Sequence, residues 1–125
     1  MDDGAKSEPV CRVYEAAIQR IKQTFIGIGT DPQIGLKLSQ IFREAGLPAP
    51  QMILHGRVEH GPDSPYDLMA QNTRAMLPLI QRAGVASAEE VGVDTLAERM
   101  RAEATALDAT LVTPPLVGAW TRKPL

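Results

Sequence analysis

Aromatic residues make up only 4% of this sequence. Tyr14, Phe25, Phe42, Tyr66 and Trp120 are too few to build a core, so packing falls to Leu, Ile, Val, Met and Ala. Cys11 is the only cysteine, which excludes an internal disulfide and suits a reducing compartment. No apolar run approaches the roughly 20 residues that span a bilayer. The opening Met1-Asp2-Asp3-Gly4 is acidic and polar, unlike a signal peptide. A cytoplasmic location follows as the expectation, with no membrane partner. The net charge is −2 and there is no basic patch, so nucleic acid is not an expected partner either.

With 125 residues and 44% hydrophobic content, the chain suits one small domain or a piece of a larger one. Its clearest unit is Asp31 to Val58. Asp31 is a good N-cap and Pro32 suits the first helical position. Ile34, Leu38, Ile41, Phe42 and Ala45 then recur at helical spacing. Gly46 supplies a left-handed stop, with Leu47 folding back on Phe42, and Pro48 prevents continuation. A strand over Gln51–Val58 follows, with Met52, Leu54, Gly56 and Val58 on one face.

Before this unit, a helix is expected from Ser7 to about Phe25 or Ile26. Pro9 would sit in its first turn, and Val10, Val13, Ala17, Ile18, Ile21 and Phe25 would form its inner stripe. Gly27-Ile28-Gly29 resembles part of a dinucleotide-binding loop. That loop must follow a strand, whereas the residues before it have helical periodicity, so a helix stop is the better reading. After the strand, Ser64-Pro65-Tyr66-Asp67 opens a helix running to Ala83, with Met69, Met76, Leu77, Ile80 and Ala83 inward and Gly84 as its stop. Ser87-Ala88-Glu89-Glu90 is a capping box for a short helix ending near Gly92. A further helix, capped by Asp94, runs from Thr95 to about Leu107, with Leu96, Met100, Ala104 and Leu107 inward. Leu116 to Arg122 reads as a final strand.

Chemistry-bearing residues are sparse. His55 and His60 lie five apart on a strand and its exit and face opposite sides, and four-ligand zinc has no second cluster to complete it, so no metal site is expected. Cys11 near a helix start could act as a nucleophile, but no histidine lies within its helix and packing is the plainer role. Asp2-Asp3 could hold a ligand hydroxyl or simply be a solvated terminus. The methionines could line an apolar cavity, though at helical spacing they read as core. The pattern contains about two strands and five helices. Two strands do not make a stable independent sheet, which suggests neighbours that these residues do not supply.

The stretch from Gly29-Thr30-Asp31-Pro32-Gln33-Ile34-Gly35 to Ala45-Gly46-Leu47 resembles the C-terminal half of class I S-adenosylmethionine-dependent methyltransferases of the small-molecule type. In that family a helix of the form D-P-x-x-G-x-x-L, ending A-G-L, precedes the sixth strand of a seven-stranded, Rossmann-like sheet. The resemblance implies that Gln51–Val58 is the sixth strand and that Leu116–Arg122 is the antiparallel seventh, with its Ala119-Trp120-Thr121-Arg122-Lys123-Pro124 ending. It divides the chain into 1–58 (helix, helix and strand of the core), 64–107 (lid-like helices) and 109–125 (final strand). The family's cofactor loop and its acidic partner have no counterpart here. The expectation is therefore an α/β C-terminal segment that forms the substrate-side wall and last strands of an enzyme methylating a small molecule. It would be inactive alone and bind no S-adenosylmethionine alone. Its partner would be a missing N-terminal half, or another copy joined through sheet edges. By family layout, Asp2, Tyr14 and Phe25 would line the substrate cavity. The competing expectation is a stand-alone, non-enzymatic module that binds a ligand or dimerises.

Overall fold

A computed structural model describes residues 6–124. The fold is mixed α/β. Strand β1 spans Lys6–Glu8 and helix α1 Arg12–Gly27. A 3-10 turn over Ile34–Lys37 leads into α2 (Leu38–Glu44). Strands β2 (Gln51–His55) and β3 (Val58–His60) follow, then α3 (Tyr66–Arg82), α4 (Ala88–Val91), α5 (Val93–Leu107), β4 (Thr110–Val112) and β5 (Leu116–Trp120).

The strands form two small antiparallel sheets, ordered β1-β4-β3 and β2-β5. They are segments of one bent ribbon. His55 pairs with Leu116 and Val58 with Val112. Between these pairs lie Gly56 and Arg57 on one strand, but Thr113, Pro114 and Pro115 on the other. The extra residue is a bulge, which bends a strand and breaks its ladder. Thr113 ties the bulge down: its amide donates to the Arg57 carbonyl, and its Oγ1 accepts from the Arg57 amide, both at 2.9 Å. The bend cuts the expected Gln51–Val58 strand into β2 and β3; the expected final strand is β5, ending at Trp120, and β4 ahead of it was not expected.

β1 was not expected, because Ser7–Pro9 reads as a helix start. A residue before proline is pushed toward extended backbone, and proline has no amide to donate. Ser7 instead prepares the helix that follows. Its Oγ accepts from the Cys11 amide at 2.7 Å and donates to Glu15 at 2.5 Å. Glu103, from α5, accepts from the Val13 amide at 3.0 Å. The Glu103 carboxylate therefore bonds an amide in the first turn of α1, where the helix dipole favours negative charge, and Glu15 in that turn accepts from Ser7. Ala17 and Ile18 are buried as expected, joined by Tyr14 and Thr24, while Val10 lies ahead of the helix and is exposed. The helix ends as expected: the Ile28, Gly29 and Thr30 amides donate to the Thr24, Ile26 and Phe25 carbonyls, and Gly29 has φ +86°.

α1, α3 and α5 pack on one another and on the β1-β4-β3 sheet. Their core holds Cys11, Tyr14, Ala17, Tyr66, Leu96 and Met100. The helices over 64–107 are therefore half of the hydrophobic core. Ser64 does not cap α3; its hydroxyl donates to the Gly61 carbonyl at 2.9 Å, and Pro65 takes the cap position. Only Ile80 of the expected α3 stripe is fully buried, beside Tyr66, Ala70 and Thr73. In α5, Leu96, Met100 and Ala104 are buried as expected, while Leu107 is exposed.

The Ser87 capping box forms in both directions, at 3.1 Å each way, and Gly92 is left-handed. The Ser87 amide and then its hydroxyl hold the Glu90 carboxyl below its ordinary 4.5. A depressed folded-state pKa contributes stability above the unfolded value, which is lost as pH falls through the folded one. Acidification below about pH 4.5 should therefore lower the protection of the Ser87 amide, which donates to the Glu90 carboxylate, relative to its intrinsic exchange rate at each pH. Glu90→Gln should remove that pH step, as NMR-monitored exchange would show.

Candidate functional site

The arm formed by the 3-10 turn, α2, β2 and β5 departs most from expectation. Asp31 does not start an α-helix. Its Oδ1 accepts from the Gln33 amide at 2.8 Å and its Oδ2 pairs with Lys37, which makes a local turn. The chain then presses Gly35 against β5. A Cβ on Gly35 would meet the Val117 Cβ at 2.8 Å. This explains the glycine in the D-P-x-x-G pattern: only a missing side chain permits the approach. Gly35→Ala should cost the arm about 1–3 kcal/mol through overpacking. Val117→Ala in the same chain should recover part of that loss in a thermal melt.

The helix stop is as expected, with Gly46 at φ +78° and the Leu47 amide donating to the Phe42 carbonyl at 3.0 Å. The apolar stripe is not buried. Ile34, Leu36 and Ile41 are exposed, Leu36 to 72%. On β2 and β5, the Met52, Leu54, Val117 and Ala119 face carries the 3-10 turn, yet Leu54 remains 69% exposed. The opposite face presents Ile53 at 53%, Leu116 at 68% and Trp120 at 49%, with no layer over it among the described residues. A strand apolar on both faces is the pattern of one covered on both faces. That signal was readable in Met52-Ile53-Leu54 but does not say what provides the cover.

The second feature is the head sheet. β1 and β3 both run antiparallel to β4, so they are parallel to each other. Their carboxyl ends lie together, and ligands of open α/β sheets bind beyond such ends. Glu8, Thr110 and His60 oppose one another there across three strands. His60 Nε2 lies 2.7 Å from Asp108 Oδ1, on a left-handed Asp108 with φ 49°. A cleft of about 260 Å³ adjoins, lined by Lys6, Ser7, Glu8, Thr110 and Val112. On the inner face, a cavity of about 10 Å³ between Tyr14, Glu59, Tyr66 and Leu111 is too small for a substrate. Glu59 Oε1 is buried and lies 2.6 Å from Arg57 Nε, a charge contact without hydrogen-bond geometry.

The expected site residues are not brought together. Tyr14 is buried, and its hydroxyl donates to the Val112 carbonyl at 2.9 Å. Phe25 is half-buried, about three turns and roughly 16 Å further along α1. It lines neither cavity. Asp2 lies outside the described residues. Cys11 is buried, and loss of solvent chiefly pushes its thiol pKa up, away from a reactive thiolate. Burial likewise raises the Tyr66 phenol, against whose ring Arg101 sits at 5.5 Å.

Among the described residues, the Gly27–Gly29 stretch follows helix α1 and not a strand. The amides of the Gly27–Gly29 loop are spent on the end of α1. No helix among them is long and apolar enough to cross a membrane, and no group of three or more His, Cys, Asp or Glu is placed to hold a metal. No family model matches the chain, and neither a curated protein nor a solved structure matches it.

Proposed function

We propose that this chain is the C-terminal segment of a cytoplasmic class I S-adenosylmethionine-dependent methyltransferase, forming the substrate-side wall and last strands of its sheet. One observation carries the reading. β4, which leads into the last strand, runs antiparallel between β1 and β3, which are parallel to each other and joined through α1, α2 and β2. That is the arrangement expected where a parallel sheet closes on an antiparallel seventh strand. The exposed arm adds support, since its apolar faces suit an interior position in a larger sheet.

In this reading the cofactor is held by the rest of the sheet, and α1 forms the wall toward the small-molecule acceptor. Phe25 remains the candidate lining residue on α1, and Asp2, outside the described residues, stays a candidate by family layout alone. Tyr14 serves the wall from behind, by fixing α1 to β4. The segment alone is inactive.

Calorimetric titration with S-adenosylmethionine tests this reading on two samples, the chain alone and the chain fused at Lys6 to the cofactor half of a small-molecule class I methyltransferase. Binding by the fusion and none by the chain supports it. Stoichiometric binding by the chain alone contradicts it, as does a fusion whose two parts melt independently. A dimerising module is the second reading, favoured by the open edge of β2, which has no charged or proline residue within Gln51–His55. It requires a discrete, sharply melting dimer with a covered arm.

A further inference from the structure

The helices cover one face of the β1-β4-β3 sheet. Ser7 and Leu111, paired across it, are buried on that face. The opposite face carries two rows of side chains. Lys6, Val112 and Val58 make one, and Glu8, Thr110 and His60 make the next. The cleft of about 260 Å³ lies along its β1 and β4 side. His60 stands one strand spacing, roughly 5 Å, beyond Thr110.

The His60 imidazole is held in one state. Its Nε2 lies 2.7 Å from Asp108 Oδ1. An ionised carboxylate only accepts, so Nε2 carries the proton and Nδ1 keeps its lone pair. Asp108 is also the one non-glycine at positive φ among the described residues. Gly46, Gly84 and Gly92 take that left-handed backbone after other helices. Glycine would end α5 equally well. What Asp108 adds there is a carboxylate on His60, on a backbone fixed by the Ala109 amide donating to the Ala104 carbonyl at 2.9 Å.

Charge and spacing narrow the ligand. Asp108 and Glu8 at the two ends of the His60 row repel an anion. A permanent cation offers His60 no proton, whereas a neutral hydroxyl does. Val58 and Val112 lie two residues, roughly 7 Å, along the strands from His60 and Thr110. That interval suits an aromatic ring bearing one hydroxyl.

We propose that this face is a proton-accepting site for a phenol, with the ring on Val58 and Val112 and the O–H toward His60 Nδ1. The O–H bond breaks, its electron pair stays on oxygen, and the proton bonds to Nδ1. Asp108 is the positioning residue, and its charge balances the imidazolium that forms. In the reading above this hydroxyl is the methyl acceptor, and in naming it the proposal rests on that reading. The proton transfer itself needs no cofactor.

The test mixes the chain with para-nitrophenol, whose phenolate alone is yellow, at a fixed pH where the free probe is mostly protonated. Phenolate absorbance should rise about twofold over buffer at the same pH. NMR of the ring nitrogens should show His60 gaining a proton while His55, the other histidine, does not change. His60→Gln should abolish the rise. Asp108→Asn keeps a residue that tolerates left-handed backbone, and should spread His60 over both tautomers and reduce the rise. The Leu96 and Met100 amides confirm that each variant is folded. No rise in absorbance, an equal response from His55, a rise that survives His60→Gln, or an unchanged His60 tautomer in Asp108→Asn would each overturn the proposal. Because no S-adenosylmethionine is present, these outcomes are separate from failure of the methyltransferase reading.

Discussion

Met100→Ala should lower the unfolding free energy by about 2–5 kcal/mol, measured by chemical denaturation. Met100 is fully buried in the cluster that joins α1, α3 and α5 to the sheet through Leu111. Truncation there loses burial and leaves a cavity that rigid helix neighbours cannot close. A domain of this size has about 5–15 kcal/mol in total, so the variant should be close to unfolding at physiological temperature. Met100→Leu, which conserves volume, should cost less than about 1.5 kcal/mol. Similar losses from the two variants would mean that the helices do not pack as described.

The second large effect concerns solubility. Ile53→Thr combined with Leu116→Lys replaces two large apolar residues on the uncovered face of the arm. In a finished protein, two such changes on a covered strand would be severe. In this chain the stability change should stay within about 0.5 kcal/mol per site, because both side chains already meet water. Aggregation should fall markedly in light scattering, since an apolar face and edge have been interrupted. A loss of several kcal/mol would show that something covers the arm in solution.

What could be read in the sequence was local. Ser87 and Glu90 sit three apart and make their box whatever surrounds them. Gly46, Gly84 and Gly92 end helices because only glycine takes those angles cheaply. The Leu96, Met100 and Ala104 stripe faces inward because its neighbours, α1 and α3, lie in the same chain. The failures were non-local. β1 is three residues long and exists because β4, far away in sequence, offers it an edge. The bulge at Thr113–Pro115 shows itself only through pairing with Gly56 and Arg57. Ile34, Ile41 and Leu54 form the apolar pattern of buried elements, yet periodicity carries no information about whether the covering layer is present. The site suffered most. Tyr14 and Phe25 lie on one helix, but a hydrogen bond to Val112 places the first in the core, and no sequence motif announces that bond.

Under the proposed function, the arm is open in this chain and would be covered in a completed sheet. Trp120 is the only tryptophan and lies on that arm. Acrylamide quenching of its fluorescence therefore reads the claim directly. Emission should be red-shifted and readily quenched in the dilute chain alone, and blue-shifted and strongly protected in the fusion to a cofactor half. Blue, protected emission from the chain alone would contradict it, because the arm would already have its cover.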